Sequence, residues 1–354
     1  MNRKLRRCTV VAACIFTIML LANPGLAFAQ EDEDAAEQLE EWQQQELRPL
    51  LDRLTAAIKG EVPAEKVFEI SPDFLKGSEG SIYVPFKMKI DPLTLTQSQF
   101  ILYMFVTPHV EPAAADADAP ENQEDAFQNT TYEDLFFVDV SDVTTTVDGM
   151  LELHRAFQAQ SGTYDVYLVA RDSVGEDGDF DDLDDSMVML HKEEVEVPNF
   201  WNEELQTSSI IMAQSLDLID APLVLEDQRI NPYTIGTTQI TPKPNANYTT
   251  SEDFSLLFYV YNPQLTAEMN PDVTVEFDFY RVGPAGESFF NKTTPQAFDA
   301  TTWPAGVPVT GGLPSGQSVP LASFPAGDFR LEIKITDNAA EQTLIRDVHF
   351  NVAE

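Results

Sequence analysis

The clearest candidate for chemistry is an acidic loop over residues 176–185, with the sequence EDGDFDDLDD. Calcium binds several carboxylate and carbonyl oxygens at once. Asp177, Asp179 and Asp181 repeat at the one-three-five spacing of an EF-hand loop. The loop is therefore the first place to look for a metal ion.

Two positions of this loop depart from an EF-hand. Asp182 stands where that loop needs a glycine, and Val188 stands where it needs a glutamate. A dedicated EF-hand is excluded. A solvated acidic hairpin loop explains the same residues and is the interpretation we favour. The open alternative is a weak calcium site of about millimolar affinity, as in extracellular modules. Its ligands would be Asp177, Asp179, Asp181 and Asp184.

Other chemistry has little support in the sequence. No two of the four histidines have the spacing that places metal ligands on one helix face. No nucleophile elbow, Walker loop or dinucleotide fingerprint is present. Pairs of acidic residues do not indicate a glycosidase site here, because so acidic a chain contains many such pairs. We therefore predict no catalytic residue and no cofactor other than the calcium just described, and we interpret the protein as non-catalytic.

The first 29 residues are typical of a secretory signal peptide. A basic start precedes an apolar run over 8–22, and Ala27 and Ala29 give a small-x-small cleavage site. The run is too short to span a membrane, so we predict no membrane insertion of the mature chain. Both cysteines, Cys8 and Cys14, lie inside this segment. The mature product is expected to be exported, periplasmic or extracellular, and free of disulfides.

The charge balance restricts the partners. The chain has 59 Asp and Glu against 21 Lys and Arg, a net charge of -38. Such a surface repels the phosphates of nucleic acids and anionic lipid headgroups. Solubility alone explains this balance, and cation association or a basic protein partner remains open.

Residues 30–63 predict an acidic helical segment. Its apolar stripe consists of Leu39, Trp42, Leu47, Leu50, Leu51, Leu54 and Ile58. Pro49 allows a break after Arg48, and Gly60 and Pro63 end the pattern. The stripe has two possible uses, packing on the first domain or docking and self-association.

From residue 64 onward the chain predicts strands. Residues 273–280 and 330–336 alternate between apolar and polar types, which is typical of antiparallel sheets with one solvated face. Short strands separated by turns favour a mainly β fold of two tandem Ig-like or fibronectin-like sandwiches. We predict domain 1 over 64–200 with a flexible acidic insert at 111–134, a linker over 201–222, and domain 2 over 223–354.

The two predicted domains repeat one motif. Gly162 precedes Tyr164 by two residues and Asp172 follows eight later; Gly327, Phe329 and Asp337 repeat this spacing. Two copies of one sandwich explain the repeat, although any two amphipathic strands share part of such a pattern. The motif resembles the start of strand F in immunoglobulin-like domains, where a tyrosine hydroxyl forms the tyrosine corner. Phe329 lacks that hydroxyl.

Five longer sequence segments support a second resemblance, to a group of known proteins. They are IYVPF (82–86), VPNF (197–200), PYTIG (232–236), YVYN (259–262) and PLASFPAG (320–327). On the basis of these segments, the mature chain is similar to a group of exported bacterial proteins, of acidobacterial type, that carry tandem Ig-like sandwiches. Related segments are associated with GWxTD-type and von Willebrand A-type domains. Neither a Gly-Trp-x-Thr-Asp sequence nor a metal-adhesion motif occurs here, so the resemblance implies architecture and no activity.

These observations favour an exported, non-catalytic interaction or scaffold protein of the cell envelope, which binds a protein partner through sheet edges or sandwich-end loops. The alternative is a carbohydrate-binding or hydrolytic envelope protein. That alternative requires exposed aromatic side chains, for which the candidates are Trp201, Tyr233, Tyr261 and Trp303.

Overall fold

The computed structural model of the chain describes residues 39–110, 130–180, 187–304 and 306–354. The predicted signal peptide, most of the predicted acidic insert, and Asp181 and Asp184 of the calcium hypothesis lie outside these ranges. The described chain is mainly β with one long helix near its N-terminal end, as predicted.

The chain divides into two compact units. Unit 1 comprises the chain up to Ser71 together with Phe86–Val197, and unit 2 comprises Pro72–Pro85 together with Pro198–Glu354. The predicted boundaries placed 72–85 in the first domain, whereas the structure groups this segment with the second. The reason is that this segment forms hydrogen bonds within unit 2, such as those from Lys76 to Tyr261 and Asn262.

The α-helices of the described ranges are α1 (Glu41–Ile58) and α2 (Leu225–Ile230). The strands up to residue 197 are β1 (Phe68–Pro72), β2 (Leu75–Lys76), β3 (Ile82–Ile90), β4 (Gln99–Pro108), β5 (Tyr132–Asp139), β6 (Thr144–Thr145), β7 (Leu151–Ala159), β8 (Gly162–Ser173) and β9 (Met189–Val197). The later strands are β10 (Gln206–Thr207), β11 (Ile211–Leu218), β12 (Thr234–Ile235), β13 (Thr238–Pro242), β14 (Asn247–Thr249), β15 (Asp253–Tyr261), β16 (Val273–Gly283), β17 (Gly286–Lys292), β18 (Gln296–Phe298), β19 (Leu313–Pro320), β20 (Gly327–Asp337) and β21 (Gln342–Ala353).

Unit 1 is built on an antiparallel sheet in the order β5-β4-β8-β9. A second sheet has the order β1-β3-β7-β6. The part of β3 before Phe86 belongs to unit 2, and within that unit it pairs with β2. Both faces of β4 are buried. One face contacts α1, and the opposite face consists of the fully buried Phe100, Leu102, Met104 and Val106.

Helix α1 packs on the sheet of its own unit. Leu47, Leu50 and Leu54 are buried in one cluster with Ile101, Tyr103, Phe105, Leu135, Tyr167, Val169, Val188 and Leu190. Of the two uses left open for the apolar stripe, the structure therefore shows packing. The allowed break after Arg48 does not occur, and the helix runs through Pro49. A helix-interior proline costs about 3 kcal/mol, and burying each leucine returns roughly 1.5–3 kcal/mol, so packing outweighs the break.

Unit 2 is a sandwich of two sheets. One sheet has the order β10-β15-β11-β13-β12 with β19 on β15, and the other has the order β14-β21-β20-β16-β17 with β18 on β16. Phe254 and Phe258 of β15 meet Phe279 and Phe277 of β16, with ring centroids 6.0 and 6.4 Å apart. The predicted alternation along β16 and β20 is confirmed by their burial. The predicted linker 201–222 contains β10 and β11, because Ile211 and Ala213 alternate with the less buried Met212 and are buried in this unit.

Candidate functional site

The repeated glycine-aromatic motif occupies equivalent places in the two units. Gly162 begins β8 and Gly327 begins β20, with φ angles of +154° and +142° that side chains rarely allow. The aromatic ring two residues later is buried in both cases. Burial raises the pKa of the Tyr164 hydroxyl, and the nearby backbone of Gln160, four residues earlier, opposes this rise; a tyrosine corner places the hydroxyl near the backbone in this way. Phe329 instead packs among phenylalanines, stacking on Phe350 at 5.4 Å. The motif is thus structural in both units.

The aspartate at the end of each motif accepts hydrogen bonds from backbone amides of loops. The Asp172 carboxylate accepts hydrogen bonds from the backbone amides of Thr96 and Gln97. The Asp337 carboxylate accepts one from the backbone amide of Gln264 at 2.6 Å and others from two amides of its own turn. The repeat identified these aspartates in the sequence, but their role needed the structure, since Thr96, Gln97 and Gln264 lie on other segments.

Two of the four predicted calcium ligands are described. Asp177 and Asp179 lie in the exposed turn after β8, whose backbone closes through the amide of Gly178 and the carbonyl of Gly175 at 3.3 Å. The other two, Asp181 and Asp184, fall outside the described residues. The calcium hypothesis stays a prediction.

A histidine-carboxylate network that sequence reasoning missed joins three strands of unit 1. Nδ1 of His109 lies 2.8 Å from Oδ1 of Asp165, and its Nε2 lies 3.7 Å from Oε2 of Glu194. The ammonium of Lys192 lies 2.8 Å from the other Asp165 oxygen. The hydrogen bond to Asp165 raises the pKa of His109. No local spacing could have signalled the network, because the β4-β8-β9 pairing assembles it.

The same three acidic and imidazole side chains could in principle hold a metal ion, since their ligand atoms lie within 4.8 Å of one another. Two features argue against this use. Nδ1 of His109 is already hydrogen-bonded to Asp165. Lys192 already neutralises Asp165. We interpret the group as an ion-pair network that joins the ends of three strands.

A cavity of about 570 Å³ lies in unit 1, beside α1. Residues 45, 48, 49, 52 and 53 recur every three or four positions, so they form a stripe on α1 next to its buried leucines. The remaining wall comes from β8 and from the residues on either side of 181–186. The lining side chains are Gln45, Arg48, Pro49, Asp52, Arg53, Arg171, Phe180 and Val188.

Arginine dominates the charge of this cavity. Arg53 donates from Nη2 to Oε1 of Glu65 at 3.2 Å, while its Nε is buried without a hydrogen-bond partner in the described chain. Arg171 is only 4% exposed, and Arg48 is exposed. Asp52 contributes a carboxylate to the described lining. Three guanidinium groups thus line one cavity.

Next to the cavity, a buried carboxylate fixes α1 to the end of β8. Glu46 is fully buried and accepts hydrogen bonds from the Ser173 hydroxyl at 2.6 Å and from the backbone amides of Val174 and Gly175 at 3.0 and 3.3 Å. These bonds set the position of the helix stripe relative to Arg171, two residues before Ser173.

The four aromatic candidates for carbohydrate binding are engaged inside unit 2. Tyr233 and Tyr261 are buried, and their hydroxyls bond Asp73 and the backbone amide of Lys76. Trp201 donates from Nε1 to the carbonyl of Ser81 at 2.7 Å, and the ammonium of Lys76 lies over its ring at 4.8 Å. Trp303 donates to the carbonyl of Val307 at 2.9 Å and contacts Phe298. Of these four side chains Trp201 alone is exposed, at 42%.

Unit 2 exposes apolar side chains in one stretch, residues 216–230. Leu218 is 84% exposed, Val224 63% and Leu225 88%, and Leu216 and Ile230 are exposed as well. Leu218 pairs with Thr238, which also pairs with Ile235 on the edge strand β12. Gln228 of α2 donates to the carbonyl of Thr234 at 2.8 Å. The end of β11 and α2 therefore lie at the same end of one sheet.

No family model matches the chain, and no curated protein matches it in sequence. None of the described helices is long and apolar enough to cross a membrane. Solved structures that are similar to the chain share little sequence with it. An immunoglobulin-like protein from Pseudomonas aeruginosa is 10% identical, with 41% of this chain and 97% of that one covered and a TM-score of 0.21. A Salmonella alpha-2-macroglobulin reacted with methylamine is 13% identical over 82% of this chain and 17% of its own, with a TM-score of 0.20. A red sea bream transglutaminase is 8% identical over 85% and 33%, also with a TM-score of 0.20.

Proposed function

We propose that the protein is an exported, non-catalytic interaction or scaffold protein of the cell envelope, and that unit 2 binds a protein partner. The observation that carries this proposal is the apolar surface over residues 216–230. Within the described residues, no other stretch of fifteen exposes as many large apolar side chains. Single exposed apolar residues are ordinary, but a concentration of them marks interaction sites.

The side chains around the histidines support a non-catalytic role. The hydrogen bond of His109 goes to a carboxylate, and the one shown for His191 comes from the backbone amide of Phe68. A histidine that activates a nucleophile would contact a hydroxyl or thiol. Of the four aromatic candidates for carbohydrate binding only Trp201 is exposed, and one exposed ring gives that alternative little support.

Affinity capture from an envelope extract of the host tests the proposal. The variant Leu218→Ser/Leu225→Ser removes the two most exposed apolar side chains of the surface. The matched control Leu93→Ser/Val147→Ser changes two side chains of unit 1 that are 88% and 98% exposed. We expect one protein to be captured by the wild type and the control, and lost from the variant at an unchanged melting temperature. Equal capture by all three would exclude this surface. No captured protein would exclude the interaction function.

A further inference from the structure

The apolar surface over residues 216–230 also carries a concentration of negative charge. Its four carboxylates belong to exposed side chains, which are Asp217, Asp220, Glu226 and Asp227. Arg229 is the one basic residue of this stretch, so four negative charges and one positive charge give a formal charge of -3. Asp217 separates Leu216 from Leu218 along β11. A partner that covers the apolar side chains must therefore also meet the carboxylates.

These carboxylates lack a compensating cation in the described chain. None of the four forms an ion pair with a basic side chain there. Elsewhere in unit 2 acidic side chains are paired, as Glu252 is with Lys243 and Glu287 is with Arg330. Unpaired carboxylates around an apolar surface attract positively charged partners and repel negatively charged ones.

The charge of the surface decides between possible occupants. A second copy of the chain would bring the same charge of -3 against it, and nucleic acids and anionic lipid headgroups would be repelled as well. A segment with apolar side chains flanked by lysines or arginines suits both properties of the surface. It would cover Leu218 and Leu225, which are 84% and 88% exposed, and its cations would pair with the carboxylates next to them in sequence.

We infer that the partner of this surface is a basic amphipathic segment of another protein. The inference rests on the proposed function and deepens it, because it names the chemistry of the partner at the same surface. Leu218 and Leu225 supply the apolar contact. Asp220, Glu226 and Asp227 supply the attraction to lysine or arginine side chains, and such charge complementarity selects the partner.

Fluorescence anisotropy on the full chain tests the inference with synthetic leucine-lysine peptides as probes. One peptide places its leucines at helical spacing and the other alternates leucine with lysine, so both regular conformations are offered. We expect saturable one-to-one binding of at least one peptide, which weakens as the salt concentration rises. Peptides of the same patterns with glutamate in place of lysine should not bind, because the surface would repel them.

Two variants assign the binding to this surface. The apolar variant, Leu218→Ser/Leu225→Ser, removes the apolar contact. The charge variant, Asp220→Asn/Glu226→Gln/Asp227→Asn, removes three of the four carboxylates. Each should weaken peptide binding about tenfold or more. The melting temperatures should stay close to that of the wild type, because all five side chains are exposed.

A charge-matched control separates this surface from the general attraction of a cationic peptide to an acidic protein. Glu61→Gln/Glu203→Gln/Glu268→Gln removes three exposed carboxylates that lie outside residues 216–230, and it should bind the peptide as the wild type does. Equal weakening in the two triple variants overturns the inference, and so does the absence of saturable binding by either peptide. A wild-type dimer in light scattering that the apolar variant loses would identify a second copy as the occupant, and would overturn it too.

Capture from the envelope extract distinguishes failure of this inference from failure of the proposed function. Capture that is lost in the apolar variant but kept in the charge variant and at high salt leaves the function intact and overturns the basic partner. Capture that is equal in the apolar variant and the wild type overturns the function itself. Loss in both variants, alongside peptide binding and with capture kept by the charge-matched control, supports both proposals.

Discussion

The hydroxyl of Tyr233 donates a 2.7 Å hydrogen bond to the carboxylate of Asp73, across 160 positions of the chain. The neighbouring Lys76 repeats this relationship. Its backbone amide donates to the Tyr261 hydroxyl at 3.0 Å, and its ammonium donates to the Asn262 side chain at 2.7 Å. Residues 72–85 are therefore an integral part of unit 2, although they precede most of unit 1 in sequence.

We expect Tyr233→Phe to destabilise unit 2. The substitution keeps the buried ring but removes a donor to the Asp73 carboxylate, which is 8% exposed. A hydrogen bond to a charged group is worth about 1.5–3 kcal/mol. Urea denaturation followed by fluorescence should show a lower midpoint. Tyr280→Phe is the control, since that tyrosine is only half-buried on β16. An unchanged midpoint for Tyr233→Phe would mean that the bond does not stabilise the unit.

The mainly β fold could be predicted from the sequence because strands leave a period of two. The alternation over 273–280 identified β16, and the glycine-aromatic repeat identified the starts of β8 and β20. The membership of residues 72–85 could not be predicted in this way. It depends on single hydrogen bonds such as that between Asp73 and Tyr233, and a pair so distant in sequence leaves no local pattern.

Glu46 should contribute strongly to the stability of unit 1. It is fully buried and accepts three hydrogen bonds from the end of β8. Glu46→Ala leaves the Ser173 hydroxyl and two backbone amides without this acceptor, and we expect a loss of about 2–4 kcal/mol. Thermal denaturation measures it. The exposed Glu41→Ala at the start of the same helix should cost far less, and equal losses would contradict this role of Glu46.

Substitution of either motif glycine, Gly162 or Gly327, should destabilise the unit that contains it. At φ angles of +154° and +142°, an alanine at Gly162 or Gly327 would be strained, and we expect each change to cost about 1–3 kcal/mol in its own unit. Gly311→Ala is the control, because nothing lies within 4 Å of its Cβ position and its φ is not positive. Hydrogen exchange along β8 and β20 measures the effect locally. Unchanged protection in both variants would show that the repeat has no conformational requirement.

The candidate sites were less predictable than the fold. The acidic run 176–185 is conspicuous in the sequence, yet it gives no ligand geometry without its folded backbone. The cavity beside α1, by contrast, has no signal in the sequence. Arg48 and Arg53 are ordinary surface residues of a helix in the sequence, and only the packing of α1 against β8 brings Arg171 to them. Sites assembled between elements leave no spacing to detect.

The pKa values of His109 and His191 should be shifted in opposite directions from the ordinary value of 6.5. The hydrogen bond to Asp165 raises the pKa of His109, so its stabilising contribution is present below pH 6.5 and is lost as the pH rises through the folded-state pKa. Burial lowers the pKa of His191, so the unfolded chain takes up this proton first and stability is lost as the pH falls below 6.5. NMR titration of the two imidazoles should separate them. Asp165→Asn should lower the pKa of His109 and leave that of His191 unchanged, and an unshifted His109 in this variant would contradict the assigned cause.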